Sequence, residues 1–120
     1  MNSKHYVSLE VAKMLKEKGY DRECISYYHD NCTEVDYSFC GERNSTWEER
    51  CVSAPTKAEA IDWLDSKGKI IEVFQDYRGL WFYVIKISET ESYVSESGDN
   101  YFPTRLEAEE AAIIKALEQL

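Results

Sequence analysis

The sequence predicts an α+β fold in which three helices pack against an antiparallel sheet of five to seven strands, in the order α-β-β-β-α-β-β-β-α. Three observations lead to this prediction. Helix start signals precede three stretches with apolar residues at helical spacing. Two runs of strand-forming residues separate these helices, and turn residues interrupt each run. The 120 residues, 43% of them apolar, suit a single domain covering 1–120.

The first helix is predicted over residues 9–18. Ser8 is a favourable N-cap, and Glu10 lies in the first turn, where a carboxylate suits the helix dipole. Lys16 lies in the last turn, where a cation is favoured. Gly19 then supplies the left-handed conformation that ends many helices.

Residues 23–53 predict three short antiparallel strands, because tyrosine, valine and phenylalanine are frequent there. Apolar and polar residues alternate strictly over 35–39, which predicts a strand with one buried face. Turn residues at 30–31 and 41–44 separate the strands.

The clearest feature of the second half is a hairpin, with strands at 69–75 and 80–88 around the turn Asp76–Gly79. The second of these strands is almost wholly apolar, which predicts a central strand covered on both faces. A more exposed strand is expected at 92–97, before the last helix.

Two helix starts share the pattern Pro-Thr-Lys/Arg-x-Glu-Ala, at 55–60 and at 103–108. In each, the threonine is a good N-cap, and the glutamate three residues later completes a capping box. One interpretation is a pseudo-repeat of a strand–strand–strand–helix unit. The alternative is that one good helix start occurs twice for local capping reasons.

The charge balance argues against nucleic acid as a partner. The chain has 23 acidic and 14 basic residues and a net charge of −9, whereas nucleic-acid binding requires Lys and Arg to neutralise phosphates. No apolar run reaches the roughly 20 residues of a membrane span, and the first residues form no apolar signal segment. We therefore expect a cytoplasmic protein that binds neither nucleic acid nor membrane.

No motif predicts catalysis or a cofactor. The five glycines are isolated, so no phosphate-binding loop is present. The four cysteines lack the close pair typical of zinc sites, and only Cys24, His29 and Cys32 lie near enough in sequence to be considered as metal ligands or as a Cys–His catalytic pair. His29 precedes Asp-Asn, which is typical of a solvated turn. We predict no catalytic residue, no cofactor and no metal.

Aromatic side chains provide the strongest functional signal, because Tyr and Trp often anchor protein interfaces. Those in the second half are also explained as core residues or as the half-buried face of a sheet. The residues considered for an interface, including a homodimer interface, are Tyr77, Trp81, Tyr83, Tyr93, Tyr101 and Phe102.

The stretch 6–20, followed by Cys24 and the pair 27–28, resembles a group of small uncharacterised proteins of anaerobic gut bacteria and their phages or mobile elements. The segments 53–56 and 60–64, the late hairpin and the closing acidic helix match the same pattern. The resemblance implies a phage or mobile-element origin, and it implies no activity and no catalytic residue.

The sequence favours a non-enzymatic accessory protein that binds another protein or itself. One alternative is a small-molecule-binding domain or an enzyme that uses a pocket between helix and sheet. Another is an acidic inhibitor or DNA mimic, which would require that Glu89, Glu91, Glu96 and Asp99 align with the carboxylates of the last helix.

Overall fold

A computed structural model of the chain describes residues 5–29, 32–45, 47, 50–86, 92–94 and 101–120, without the side chains of 39, 40 and 92–94. The helices and strands of these residues, in chain order, are α1 (Leu9–Glu17), β1 (Cys24–His29), β2 (Asp36–Glu42), β3 (Cys51–Ser53), α2 (Lys57–Ser66), β4 (Ile70–Gln75), β5 (Trp81–Lys86), β6 (Ser92–Val94) and α3 (Arg105–Glu118). The α+β class and the predicted order of elements are confirmed.

The six described strands form two antiparallel sheets of three strands each, in place of the one sheet expected. The chain divides into two compact units, residues 1–59 and 60–120, and α2 begins in the first and continues into the second. Every described ladder joins strands of the same unit, and local pairings of this kind cost less loop-closure entropy than distant ones. The expectation of a single domain stays a prediction.

Helix α1 forms where its capping signals lie. The Ser8 hydroxyl accepts a hydrogen bond from the Val11 N–H at 3.3 Å, and Gly19 follows the helix with a φ of 94°. Val11 and Leu15 lie on the buried face of the helix. The predicted helix is confirmed, with its last residue shifted by one.

The sheet of the first unit has the order β2-β1-β3 and an irregular ladder between β1 and β2. Cys24 pairs with Glu42, but Ser26 pairs with Tyr37, so β2 contains extra residues that form a bulge. Gly41 therefore lies in β2, and the turn expected at 41–44 begins only at Asn44. The expectation of a buried face over 35–39 is wrong at Tyr37, which is exposed.

The sheet of the second unit is a meander with the order β4-β5-β6. Its hairpin is confirmed, with a regular ladder from Ile70↔Lys86 to Gln75↔Trp81. Helix α3 packs against β4 and β5. The expectation that β5 is covered on both faces is wrong, because Ile85 is buried while its neighbour Val84 is only half-buried.

Both predicted helix starts are capped by threonine. Thr56 and Glu59 form a complete capping box, with the Thr56 N–H donating to the Glu59 carboxylate at 3.0 Å and the Glu59 N–H donating to the Thr56 hydroxyl at 3.2 Å. Thr104 accepts from the Glu107 N–H at 3.2 Å. The strand orders of the two units differ, which favours repeated capping over a structural repeat.

None of the helices in the described part of the chain combines the length and the apolar composition that crossing a membrane requires.

Candidate functional site

The hairpin of the second unit has one face covered by α3 and one face that no described helix covers. Partners in an antiparallel ladder share a face, so the buried residues Ile71 and Ile85 mark the covered side. The other side, called the open face below, carries Ile70, Glu72, Phe74, Phe82, Val84 and Lys86. On it, Ile70 is 40% and Phe74 is 42% exposed, although both are large apolar residues.

A row of aromatic rings crosses the open face and continues beyond it. The rings of Phe74 and Phe82 lie 5.6 Å apart between centroids, and the ring of Tyr101 lies 5.8 Å from that of Phe82. The Arg78 guanidinium lies 4.8 Å from the centroid of Tyr101 and 5.9 Å from that of Tyr77. This row joins exposed aromatic surface to a cation, a combination that is frequent in protein interfaces.

The charged groups on and beside the open face neutralise one another. The Lys86 ammonium lies 2.9 Å from the Glu72 carboxylate, and the Arg78 guanidinium lies 2.8 Å from the Asp76 carboxylate. The open face is therefore close to neutral, although the whole chain has a net charge of −9. An apolar, locally neutral face on an acidic protein is a surface that a partner can cover without leaving charges unpaired.

Asp76 fixes the hairpin turn and thereby the position of Arg78. Its carboxylate accepts hydrogen bonds from the Arg78 N–H at 2.8 Å and from the Leu80 N–H at 3.1 Å. Partial burial raises the pKa of Asp76, but these bonds and the Arg78 guanidinium outweigh it and hold the pKa below its ordinary value of 3.8. The stability from this charge is complete above that ordinary pKa and is lost as the pH falls through the folded pKa.

The six residues considered for an interface do not share one surface. Tyr77 is 96% exposed, and Tyr101 extends the row of the open face. Tyr83 is buried on the covered side, where its ring lies 6.3 Å from that of Phe102. Trp81 pairs with Phe102 through two backbone hydrogen bonds of 2.8 Å and shares that side. Tyr93 pairs with Ile85 in the ladder, and its side chain lies outside the described residues.

Four exposed or half-exposed apolar residues of the open face were missed from the sequence, namely Ile70, Phe74, Phe82 and Val84. The available signal was that Ile70, Glu72 and Phe74 stand at every second position and therefore share one face of a strand. Because the adjacent residue Ile71 is also apolar, the sequence does not show which face is buried. Only the register with β5 assigns each residue to a face.

The first unit contains a cleft of about 410 Å³. The cleft is lined by Tyr6, Glu23, Cys24, Ile25, Ser26, Gly41, Thr56 and Glu59. Several polar groups of this lining serve the fold itself: the Cys24 thiol donates to the Ser26 carbonyl at 3.3 Å, and the Ser26 hydroxyl donates to the Ala54 carbonyl at 2.6 Å. Among the described residues of the lining there is no histidine, lysine or arginine that could act as a base or bind an anion.

Tyr6, at the rim of this cleft, interacts with Tyr37. Their rings are 6.1 Å apart and nearly perpendicular, and a hydrogen bond between the side chains, together with partial burial, raises the pKa of Tyr37 to about 12. Because unfolded Tyr37 loses its proton near pH 10, the stability from this pair is complete below pH 10 and is lost as the pH rises to about 12.

The variant Tyr6→Phe should return the pKa of Tyr37 from about 12 towards 10, because it removes the Tyr6 hydroxyl that forms a hydrogen bond with the Tyr37 hydroxyl. An ultraviolet titration of tyrosinate will show this as earlier ionisation of one tyrosine. Tyr77→Phe is the control, since Tyr77 is fully exposed and should leave the titration of Tyr37 unchanged. An unchanged titration in Tyr6→Phe would contradict the assignment.

The three residues considered as metal ligands are not brought together. Cys24 and His29 lie at opposite ends of β1, which places their Cα atoms roughly 16 Å apart. Cys24 is buried, whereas Cys32 is exposed. Within the described ranges, no group of at least three His, Cys, Asp or Glu residues could hold a metal ion.

The acidic residues of the DNA-mimic hypothesis, Glu89, Glu91, Glu96 and Asp99, lie outside the described residues. The DNA-mimic alternative, which depends on whether they align with the carboxylates of α3, therefore stays a prediction.

No protein-family model, no curated protein and no solved structure matches this chain.

Proposed function

We propose that this chain is a non-enzymatic protein-interaction domain that binds its partner through the open face of the β4–β5 hairpin. The observation that carries the proposal is the row of exposed and half-exposed aromatic rings on a sheet face that no described helix covers. Leaving Phe74 and Ile70 in water is unfavourable by about 25 cal/mol per Å² of exposed apolar surface. A partner that covers these side chains recovers this free energy.

The charge pattern supports a protein as the partner. A nucleic acid would meet a chain of net charge −9, and two described cations near the open face, Lys86 and Arg78, are each paired with a carboxylate. Tyr101 and Tyr77 beside Arg78 resemble the aromatic and arginine composition of interface centres.

The variant Phe74→Thr tests this proposal, because threonine retains the strand preference of β4 while the exposed ring is lost. Wild-type and variant proteins would be immobilised and exposed to lysate of the native host, and captured proteins would be quantified. We expect Phe74→Thr to lose roughly thirty-fold in affinity for the captured partner, as for other hot-spot residues.

Ile25→Thr is the matched control, because Ile25 is 54% exposed on β1 in the other unit. It should capture the same partner as the wild type. Equal capture by Phe74→Thr and the wild type would overturn the open face as the binding surface. Absence of any captured protein from a wild-type bait that is monomeric by light scattering would overturn the interaction function.

A second candidate function is small-molecule binding at the cleft of the first unit, which its volume of about 410 Å³ favours. The cleft has a tyrosine and an isoleucine on its walls and two glutamates, which would suit a small molecule with an apolar part and a cationic group. Ligand screening by thermal shift, with wild type and Tyr6→Phe compared, tests this candidate.

A further inference from the structure

The outer edge of β4 is an unpaired strand edge in the described structure. Strand β4 is the terminal strand of its sheet, and no described bridge joins its other side. Strand edges of this kind are templates for the addition of another strand.

The hairpin geometry shows which backbone groups point to this outer edge. The N–H and C=O of Trp81 both bond to Phe102 and thus point away from β4, so the pair Gln75↔Trp81 is not hydrogen-bonded. Hydrogen-bonded and non-hydrogen-bonded pairs alternate along an antiparallel ladder. The N–H and C=O groups of Ile71, Val73 and Gln75 therefore all point outward, where no described strand pairs with them.

The side chains that flank this edge define the residues of an added strand. On the open face, Ile70 and Phe74 are apolar and exposed, and Glu72 lies between them. A residue opposite Ile70 or Phe74 gains by being apolar. The Lys86 ammonium lies 2.9 Å from Oε1 of Glu72, and a basic residue opposite Glu72 gains by contacting the second oxygen of the same carboxylate.

We propose that the edge of β4 binds an extended peptide segment of a partner protein by strand addition, and that this segment has a basic residue between two apolar residues at alternate positions. The inference rests on the proposed interaction function and names its partner chemistry. The backbone bonds to Ile71, Val73 and Gln75 provide affinity, and the pattern opposite Ile70, Glu72 and Phe74 provides specificity. The pattern is symmetric, so it fits a parallel or an antiparallel segment.

Charge disfavours a second copy as the occupant. If two β4 strands pair so that Ile70 of one copy lies opposite Phe74 of the other, Glu72 lies opposite Glu72 of the partner copy. Like charges directly opposite each other destabilise a strand pair. Shifting the register by one step so that Val73 opposes itself places each Glu72 against Phe74, which leaves a carboxylate beside an aromatic ring.

Short synthetic peptides of alternating threonine and valine test this inference, with lysine or glutamate at the central position opposite Glu72. Affinity would be measured by fluorescence anisotropy. We expect the wild type to bind the lysine peptide roughly tenfold more tightly than the glutamate peptide. The variant Glu72→Lys should reverse this preference. Glu118→Lys makes the same change in net charge on the exposed end of α3 and should retain the wild-type preference.

Hydrogen exchange with the lysine peptide then identifies the binding mode. The amides of Ile71, Val73 and Gln75 should become protected, while those of the residues between them, which already bond to β5, should change little. A peptide methylated on its backbone nitrogens should lose this protection. No protection of these three amides, or a peptide preference that Glu72→Lys leaves unchanged, would overturn strand addition.

The outcomes separate this inference from the function on which it rests. If Phe74→Thr loses the lysate partner but no peptide protects the β4 amides, strand addition fails and the proposed function stands. If the peptide protects these amides but Phe74→Thr retains the lysate partner, the open face fails as the partner site. Protection that rises with protein concentration in the absence of peptide would show a second copy on the edge and overturn the choice of occupant.

Discussion

Replacing Ile85 with alanine should lower the free energy of unfolding by about 2–5 kcal/mol, the range for deleting a large apolar side chain from a core. Ile85 is fully buried on the covered side of β5, opposite Ile71, and α3 packs against this strand. The substitution removes apolar contacts and leaves a cavity that the rigid ladder with β4 cannot close completely. Chemical denaturation monitored by circular dichroism measures this change.

Val84→Ala is the matched control, because Val84 is the adjacent residue of β5 and lies on the open face. Val84→Ala should lower the free energy of unfolding by about 1 kcal/mol, mainly because alanine has a weaker strand preference than valine. Equal losses for the two variants would contradict the assignment of a covered and an open face.

The Ile85→Ala variant, together with a variant in the other compact unit, also tests whether residues 1–120 form one domain. Leu15→Ala removes a fully buried side chain from α1, in the other compact unit. If the chain is one cooperative domain, each variant shifts a single unfolding transition that all probes share. Two transitions, each shifted by only one of the variants, would contradict the single-domain prediction.

The elements that were predictable from sequence are those whose causes are local. Helix α1 begins directly after its N-cap Ser8 and ends before Gly19 because side-chain capping and backbone conformation act within a few residues. The β4–β5 hairpin was predictable for the same reason, since Asp76 and Gly79 determine its turn.

The features that were not predictable depend on strand partners. Gly41 looked like a turn residue, but the irregular pairing of β1 with β2 places it in a bulge. The division into two sheets depends on the same choice of partners, which residue propensities do not encode.

The candidate site shows the same limit. Tyr77 and Tyr101 were identified because aromatic residues stand out in a sequence, whereas Phe74 was missed. Tyr83 was grouped with them although it is buried, because its face depends on which residue of β4 it opposes. Sequence thus identified the hairpin that carries the open face, and the ladder register was needed to determine which side chains lie on it.

Tyr28→Phe should lower the free energy of unfolding by about 1–3 kcal/mol, although it removes only one oxygen atom. The buried Tyr28 hydroxyl donates a hydrogen bond of 2.6 Å to the Val7 carbonyl, and that carbonyl loses this bond in the variant. The cost of an unsatisfied buried acceptor is larger than the net value of an average hydrogen bond. Denaturant unfolding, with Tyr77→Phe as the exposed control for the same chemical change, measures the loss.

This variant should also change the titration of another tyrosine of the first unit, Tyr37. Val7 follows Tyr6, and the segment is held by the Tyr28 bond, by the Val7 N–H to the Pro55 carbonyl at 3.0 Å and by the bridge of Tyr6 to Thr56. Loosening this segment weakens the contact between Tyr6 and Tyr37, so the pKa of Tyr37 should fall from about 12 towards 10.

The two measurements on Tyr28→Phe separate the contributions to the position of Tyr6. A loss of stability together with a lower pKa of Tyr37 means that the Tyr28 bond positions Tyr6 at the rim of the cleft. A loss of stability with the pKa of Tyr37 still at about 12 would mean that the bridge of Tyr6 with Thr56, including the Val7 N–H bond to the Pro55 carbonyl, is sufficient to hold Tyr6. In that case the cleft would keep its shape in the variant, and a ligand of the cleft would bind wild type and Tyr28→Phe with equal affinity.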